Sequence, residues 1–313
     1  MKPKIVLILG PTAVGKSALA LDLAVHLNGE IVNADSQQVY RYMDVGTGKP
    51  SMADRERVRH HLIDVVNPDQ DFNAAMFRRL ASEVIHRIDE RKRNVIVCGG
   101  TGLYLKALTR GLFEGPGQDP EIRRRLEKEI EESGLNAIYR RLAEIDPTVT
   151  SSIHPNDRLR TIRALEVYQL TGKPISQWQK EHCFAEKPFE VLKIGLNLDR
   201  AELYDRINRR SEYMIAAGFV DEVRGLVAQG YSLDLKPLRS VGYAQMGKVI
   251  RGDLAIEAAL EEMKQETRHL AKRQLTWFRG DKEIRWFHPR QAAEINTAAQ
   301  AFFLNCERSG GVA

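Results

Sequence analysis

Cysteine is scarce in this chain. Cys98, Cys183 and Cys306 are the only three in 313 residues, and no two form a C-x-x-C pair. That counts against a disulfide framework and a cysteine-built zinc site, and it fits a reducing cytoplasm. Long apolar runs are missing too: none approaches the roughly 18–20 residues that cross a bilayer, so no membrane role is expected. There is no internal repeat and no low-complexity tract. A strong excess of one charge is also lacking, since 47 Lys and Arg face 42 Asp and Glu for a formal charge of +5. So mild a balance permits a polyanionic partner without demanding one. What remains is ordinary for a soluble globular protein, 43% hydrophobic and 28% charged. The length suits one large or two medium domains.

The informative stretch is Gly10-Pro11-Thr12-Ala13-Val14-Gly15-Lys16-Ser17. It matches G-x-x-x-x-G-K-[ST], the loop that cradles phosphates. Ile5 to Leu9 before it reads as a buried parallel strand, so this first apolar run is core and not a signal peptide. Ala18, Leu19, Leu21, Leu23, Ala24 and Leu27 after it read as a helix. The glycines let backbone N–H groups turn toward an anion, and the helix N-terminus adds a favourable dipole. Lys16 supplies positive charge, and Ser17 offers a ligand to Mg²⁺. The loop specifies a polyphosphate or diphosphate ligand. It specifies neither ATP nor the group transferred.

Downstream, Glu30 to Tyr40 reads as a second short strand ending in a polar turn. Ligands of open α/β sheets gather at the carboxyl ends of strands, which puts Asp35 beside the loop. A carboxylate there either serves a metal or a proton, or caps a helix, with Ser36 able to do the same. Val45 to Pro50 is a glycine-rich turn whose Lys49 either reaches phosphate or, the simpler reading, is a solvated loop lysine. His60 to Val66 reads as a strand, on which adjacent histidines point apart and do not chelate. Phe72, Met76, Leu80, Val84, Ile85 and Ile88 mark an amphipathic crossover helix. Asn94 to Cys98 is the next strand, leaving through Gly99-Gly100-Thr101-Gly102. Many phosphate-loop NTPases carry a Mg²⁺-associated aspartate at such an exit; its lack after Val97 counts against an ordinary ATPase. The glycines allow close backbone approach, and Thr101 brings a hydroxyl to the rim, unless the turn merely starts a helix.

From Gly115 to Pro120 a turn-rich boundary opens a stretch with no β-type run as far as about residue 190. Its arginines, among them Arg123, Arg160 and Arg163, are either singly solvated or a nucleic-acid face. Val191 to Leu198 returns to the sheet. The helix after Asp199 sets Arg206 and Arg210 on one side, where they either clamp a departing diphosphate or stand solvated. Arg239 to Gln245 turns into a further helix, and Ala255 to Phe278 is helical, with Arg268, Lys272 and Arg279 within a narrow arc. Trp277 and Phe278 beside it are alternatively core. Glu283 to Phe287 forms a last edge strand, and the tail frays from about Asn305. The fold expected is therefore α/β: a P-loop core with a parallel sheet flanked by helices (1–118 and 191–313) and an all-helical insertion domain (119–190).

Taken together, GPTAVGKS (10–17), NADSQQVY (33–40), VGTGKP (45–50), GGTGLY (99–104), DRLRTIRALE (157–166), RSVGYAQ (239–245) and AKRQLTWFRG (271–280) resemble the bacterial tRNA dimethylallyltransferases, also called tRNA isopentenyltransferases. The likeness runs to about residue 290. One departure stands out: Ala244 replaces the arginine usual after VGY. No C-terminal C-x-x-C zinc module of the kind seen in eukaryotic relatives is present. The resemblance implies transfer of a dimethylallyl group from dimethylallyl diphosphate to N6 of adenosine 37 in tRNA, beside the anticodon. It implies a cytoplasmic monomer with Mg²⁺ as cofactor, no membrane role and the tRNA anticodon stem-loop as partner, with RNA and donor entering a channel from opposite sides.

It also implies residue roles. Asp35, Thr101 and Arg206 would be catalytic. Gly10, Pro11, Thr12, Ala13, Val14, Gly15, Lys16, Ser17 and Arg210 would bind diphosphate or nucleotide, with Ser17 at the metal. Contacts to tRNA would come from Asp35, Ser36, Gln37, Gln38, Thr101 and Arg123, from Leu159, Arg160, Thr161, Ile162 and Arg163, and from Arg239, Gly242 and Tyr243. On the long helix they would come from Lys272, Arg273, Gln274, Trp277 and Arg279. The chemistry is consistent with this. An adenine amine is a poor nucleophile that needs a base, and diphosphate leaves with growing negative charge that needs donors and cations. Three rivals share part of the pattern: a P-loop kinase, a prenyltransferase acting on free AMP, and a non-catalytic RNA-binding module.

Overall fold

β1 (Lys4–Leu9) sits at the heart of the sheet. Ile5, Leu7 and Leu9 enter one apolar core, and Val6 and Ile8 enter the other. A strand buried on both sides must be apolar throughout, which is why its sequence does not alternate. In this computed structural model residues 2–113, 115–182 and 186–304 are described. Cys183, Cys306 and the expected frayed tail lie outside the described residues. The sheet order is β3 (His60–His61), β2 (Gly29–Asn33), β4 (Asn94–Cys98), β1, β5 (Glu190–Leu196) and β6 (Arg285–Phe287), with every pairing parallel. β3 is far shorter than the strand expected over 60–66. Leu62 and Asp64 adopt φ of 60° and 57°, a left-handed geometry no strand can carry.

The chain divides into two compact units, Met1–Thr109 with Lys187–Ala313, and Arg110–Glu186. The first contains α1 (Lys16–His26), α2 (Met52–Arg57), α3 (Ala74–Glu90) and most of α4 (Gly102–Arg110) before the insertion. The second, whose regular elements among the described residues are all helices, contains α5 (Pro120–Ser133), α6 (Leu135–Ile145), α7 (Pro147–Thr150), α8 (Arg158–Thr171) and α9 (Ile175–His182). Returning to the first, the chain adds α10 (Arg200–Ala216), α11 (Phe219–Ala228), α12 (Tyr243–Arg251), α13 (Ile256–Arg279) and α14 (Ala292–Leu304). One face of the sheet is covered by α3, α4, α11 and α12, the other by α1, α10 and α14. α13 serves both, with Met263 and Phe278 in one core and Ala271 in the other.

The unit borders lie several residues from the expected 118/119 and 190/191. Phe113 packs against the core of the helical unit, which contains Leu126, Leu142 and Leu165, and Phe189 is buried in the sheet core. Apolar anchors, not the turn residues between them, decide where each unit begins. Within the helical unit the caps are the ones polar residues supply: Asp119 Oδ1 accepts from Glu121 and Ile122 N–H at the start of α5, and Asp157 Oδ1 from Arg160 N–H at the start of α8. Among the described residues no helix is long and apolar enough to cross a membrane.

Candidate active site

The loop Gly10–Ser17 leaves β1 at its carboxyl end and feeds α1. Gly10 has φ 142°, and a Cβ there would stand 2.5 Å from Leu196 O, so β5 presses on the loop too closely for a side chain. Ala13, a non-glycine residue, is held at φ 64°. The first amides of α1 are those a helix leaves without internal partners. They border a cavity of about 350 Å³ whose walls include Thr12, Lys16, Ser17, Asp35, Gln37, Cys98, Gly99 and Arg210. Lys16 Nζ donates to Pro11 O at 2.7 Å. Burial lowers its pKa from 10.5 to about 8, aided by the Arg210 charge and opposed by that of Asp35. Burial likewise lifts the Cys98 thiol to about 11, so this sulfur stays protonated at neutral pH.

Asp35 stands just beyond β2 on the same rim. Its Oδ1 accepts from the backbone N–H of Gln37 at 2.8 Å and Gln38 at 3.4 Å, capping a turn and not a helix. Oδ2 accepts no hydrogen bond among the described residues, so the carboxylate is aimed and still has a lone pair to use. Thr101 Oγ1 accepts from Ser36 N–H at 3.0 Å, which ties the turn after β4 to the turn after β2. Gly99 allows that approach: a Cβ there would lie 2.2 Å from Ala34 O.

α10 brings the two expected arginines over the loop. Arg206 donates to Val14 O at 3.4 Å and to Glu202 at 3.0 Å, and Arg210 to Thr12 Oγ1 at 3.0 Å and Thr47 O at 3.3 Å. Neither is a merely solvated side chain. Burial lowers the Arg210 pKa, against the pull of Asp35, but a guanidinium stays charged. Lys49 overturns the simpler expectation made for it. Its side chain is 2% exposed, and Nζ donates to Tyr40 O, Asp44 and Asp64, each at 2.6 Å. It is an internal tie, not a loop lysine in water.

The match to known proteins accords with this geometry. The family model for IPP transferase matches residues 38–281. The chain belongs to the IPP transferase family. The tRNA dimethylallyltransferase of Geobacter metallireducens is 48% identical over 303 residues, 96% of this chain and 98% of that protein. That of Syntrophobacter fumaroxidans is 52% identical over 283 residues, 90% and 83% of the two chains. A crystal structure of the Bacillus halodurans tRNA isopentenylpyrophosphate transferase aligns with TM-score 0.72 at 38% identity, covering 97% of this chain and 98% of that one. A eukaryotic dimethylallyltransferase acting on tRNA aligns with TM-score 0.79 at 27% identity, covering 97% and 80%. The phosphate loop and Asp35 precede the segment that the family model matches, but the near-full-length relatives, covering 96–97% of the chain, extend over this region.

The residues expected at RNA separate into three groups. Lys272, Arg273 and Arg279 on α13, Arg239, and Leu159 and Arg160 on α8 are exposed. Trp277 is 43% exposed and lies against Gly102, whereas its neighbour Phe278 is core. Arg123 and Arg163 are engaged internally: both bind the fully buried Glu166, Arg123 at 2.7 and 3.0 Å and Arg163 at 2.6 Å, and Arg163 also donates to Pro116 O and Gly117 O. Thr161, Ile162, Gln38 and Tyr243 are buried. Gln38 and Tyr243 nonetheless line the cavity, whereas Thr161 and Ile162 are buried within the helical unit. Gln38 Nε2 donates to Thr47 O and Gly48 O, and Tyr243 OH to Glu222 at 2.6 Å. Gly242 N–H is taken by Gln245 Oε1. Gln274 bridges two turns of the site, accepting from Thr12 N–H and donating to Gly100 O.

Sequence reasoning missed Glu222. Its carboxylate receives the N–H groups of Asp44, Val45 and Gly46 at 2.8, 2.6 and 3.1 Å, fixing the turn that Arg210 leans on. No local signal marks it, because its partners are nearly 180 residues away in sequence. Arg268, expected in the basic arc, donates to Asn208 on α10 instead.

Proposed function

We propose that this protein transfers a dimethylallyl group from dimethylallyl diphosphate to N6 of adenosine 37 in tRNA, releasing diphosphate. The observation that carries the reading is Asp35: an oriented carboxylate with a free oxygen, on the rim of the cavity that also holds the phosphate loop. Asp35 takes one N6 proton as the new C–N bond forms and the donor's C–O bond breaks. The leaving diphosphate takes the electron pair of that bond. Its growing charge is met by the amides at the start of α1, by Lys16 and by Arg206 and Arg210. Thr101 steadies the Asp35 turn through Ser36.

Among the described residues no group of three or more His, Cys, Asp or Glu is placed to hold a metal by itself. That suits Mg²⁺ shared with the diphosphate, which keeps most of its ligands from substrate and water. The Ser17 hydroxyl is the residue that would hold it, and when bound it neutralises leaving-group charge. The acceptor adenine must leave its stack to reach the cavity. The exposed Arg160, Arg239, Lys272, Arg273 and Arg279, with Trp277 for stacking, are suited to the anticodon stem-loop. We assign the protein to the cytoplasm as a monomer.

The test is incubation with dimethylallyl diphosphate or ATP, and with tRNA or AMP as acceptor. Prenylated tRNA is expected, reduced about 10²- to 10⁴-fold by Asp35→Ala. Prenylation of AMP in preference to tRNA, or γ-phosphoryl transfer from ATP without prenyl transfer, would falsify the assignment.

A further inference from the structure

Gln274 was expected at RNA, yet its side chain faces inward to the two turns that build the cavity. Oε1 accepts from Thr12 N–H at 2.8 Å, and Nε2 donates to Gly100 O at 3.0 Å. The two turns continue neighbouring strands. The last main-chain bond between them is Gly99 N–H to Ile8 O at 3.1 Å, after which β1 and β4 part. The Gln274 carboxamide supplies the next rung. It is suited to this because one partner only donates and the other only accepts, so a group with one of each is needed. A carboxylate fails at Gly100, and an ammonium fails at Thr12.

We propose that Gln274 is a positioning residue for the donor, holding the phosphate loop in its anion-binding shape. Thr12 is gripped twice, by Gln274 at its amide and by Arg210 at its hydroxyl. The next residue, Ala13, has the left-handed φ of 64° that a non-glycine residue keeps only when its surroundings impose it. With the Thr12 amide committed to Gln274, the cradle is made by the amides that follow. Gly100 belongs to the same device: a Cβ there would stand 2.5 Å from Gln274 Nε2 and push the carboxamide off its rung. The bridge thus joins the loop that grips phosphate to the turn that carries Thr101.

This inference rests on the loop being the donor grip, so the experiment separates the two. Wild type and Gln274→Met, nearly isosteric but unable to bridge, are titrated with inorganic diphosphate and Mg²⁺ by calorimetry, then assayed for both Michaelis constants. The expected result is a diphosphate Kd and a donor KM each raised about five- to tenfold, the cost of one or two lost hydrogen bonds, with the tRNA KM unchanged. Gly100→Ala is expected to give the same donor-side signature from the other end of the bridge. Should Gln274→Met fail to fold, Gln274→Asn, one methylene too short, opens the same bridge. A raised tRNA KM with an unaltered diphosphate Kd overturns the inference and returns Gln274 to the RNA face. Wild type that does not bind diphosphate defeats the donor reading and the inference with it.

Discussion

Lys16 has its ammonium against Pro11 O, and burial has already drawn its pKa down to about 8. A bound diphosphate would raise that pKa again, so binding above pH 8 must be accompanied by proton uptake. Donor KM is therefore expected to climb as pH rises through about 8, and calorimetry in buffers of different ionisation heat should count the proton taken up. A pH-independent donor KM between 7 and 9 would show the ammonium to be uninvolved. The same shift acts on the protein without donor. Its folded pKa lies below the unfolded value of 10.5, so the unfolded chain binds more protons between about pH 8 and 10.5, and the lysine's contribution to stability rises over that window. At this scale the sequence is legible where chemistry is local. The loop motif and Asp35 could be read because residue type and position in the strand–turn–helix pattern suffice. Lys49 could not, since nothing beside it in sequence announces that Asp64 and the Tyr40 carbonyl will close around it.

Some helices were readable from their apolar spacing, α3 above all, whereas α8 buries Thr161, Ile162, Ala164, Leu165, Glu166 and Val167 and shows no such one-sided stripe. Polar faces were not readable, because a charged side chain's partner is chosen by packing. Arg123 reaches Glu166 across 43 residues, and Arg163 reaches it within one turn of α8. Burial alone would raise the Glu166 carboxyl, but the hydrogen bonds from Arg123 and Arg163 hold it below its ordinary value. This cluster closes the start of α5 onto α8. Glu166→Gln is accordingly expected to destabilise the helical unit by about 3 kcal/mol, since it breaks a buried ion pair while its partners remain. Denaturant unfolding should register it as a lower midpoint with an unchanged slope. A midpoint equal to wild type would mean that solvent satisfies both arginines unaided. α14 escaped notice because its small apolar stripe, Ile295 and Ala299, is thin in sequence and meaningful only against α1 and β5.

Across the whole molecule the alternation of strands and helices gave away the parallel sheet, and the strand-free stretch gave away the insertion. The unit borders depended on Phe113 and Phe189 and so on contacts. A net charge of +5 is small, and it matters chiefly through the basic residues left exposed. If these meet RNA phosphates, the tRNA KM should rise about tenfold or more between 50 and 200 mM salt, with the donor KM changing much less. Equal salt dependence for both substrates would place the RNA contacts elsewhere. At Gly99 any side chain would collide with the Ala34 carbonyl. The cavity wall there is main chain packed on main chain, and main chain is the same whatever the codon says. Mutation cannot edit those atoms one at a time. A laboratory seeking a new donor or acceptor preference should therefore find its variants among the α10 and α13 residues that line the cavity, such as Met214 and Leu270, and find none at Gly99.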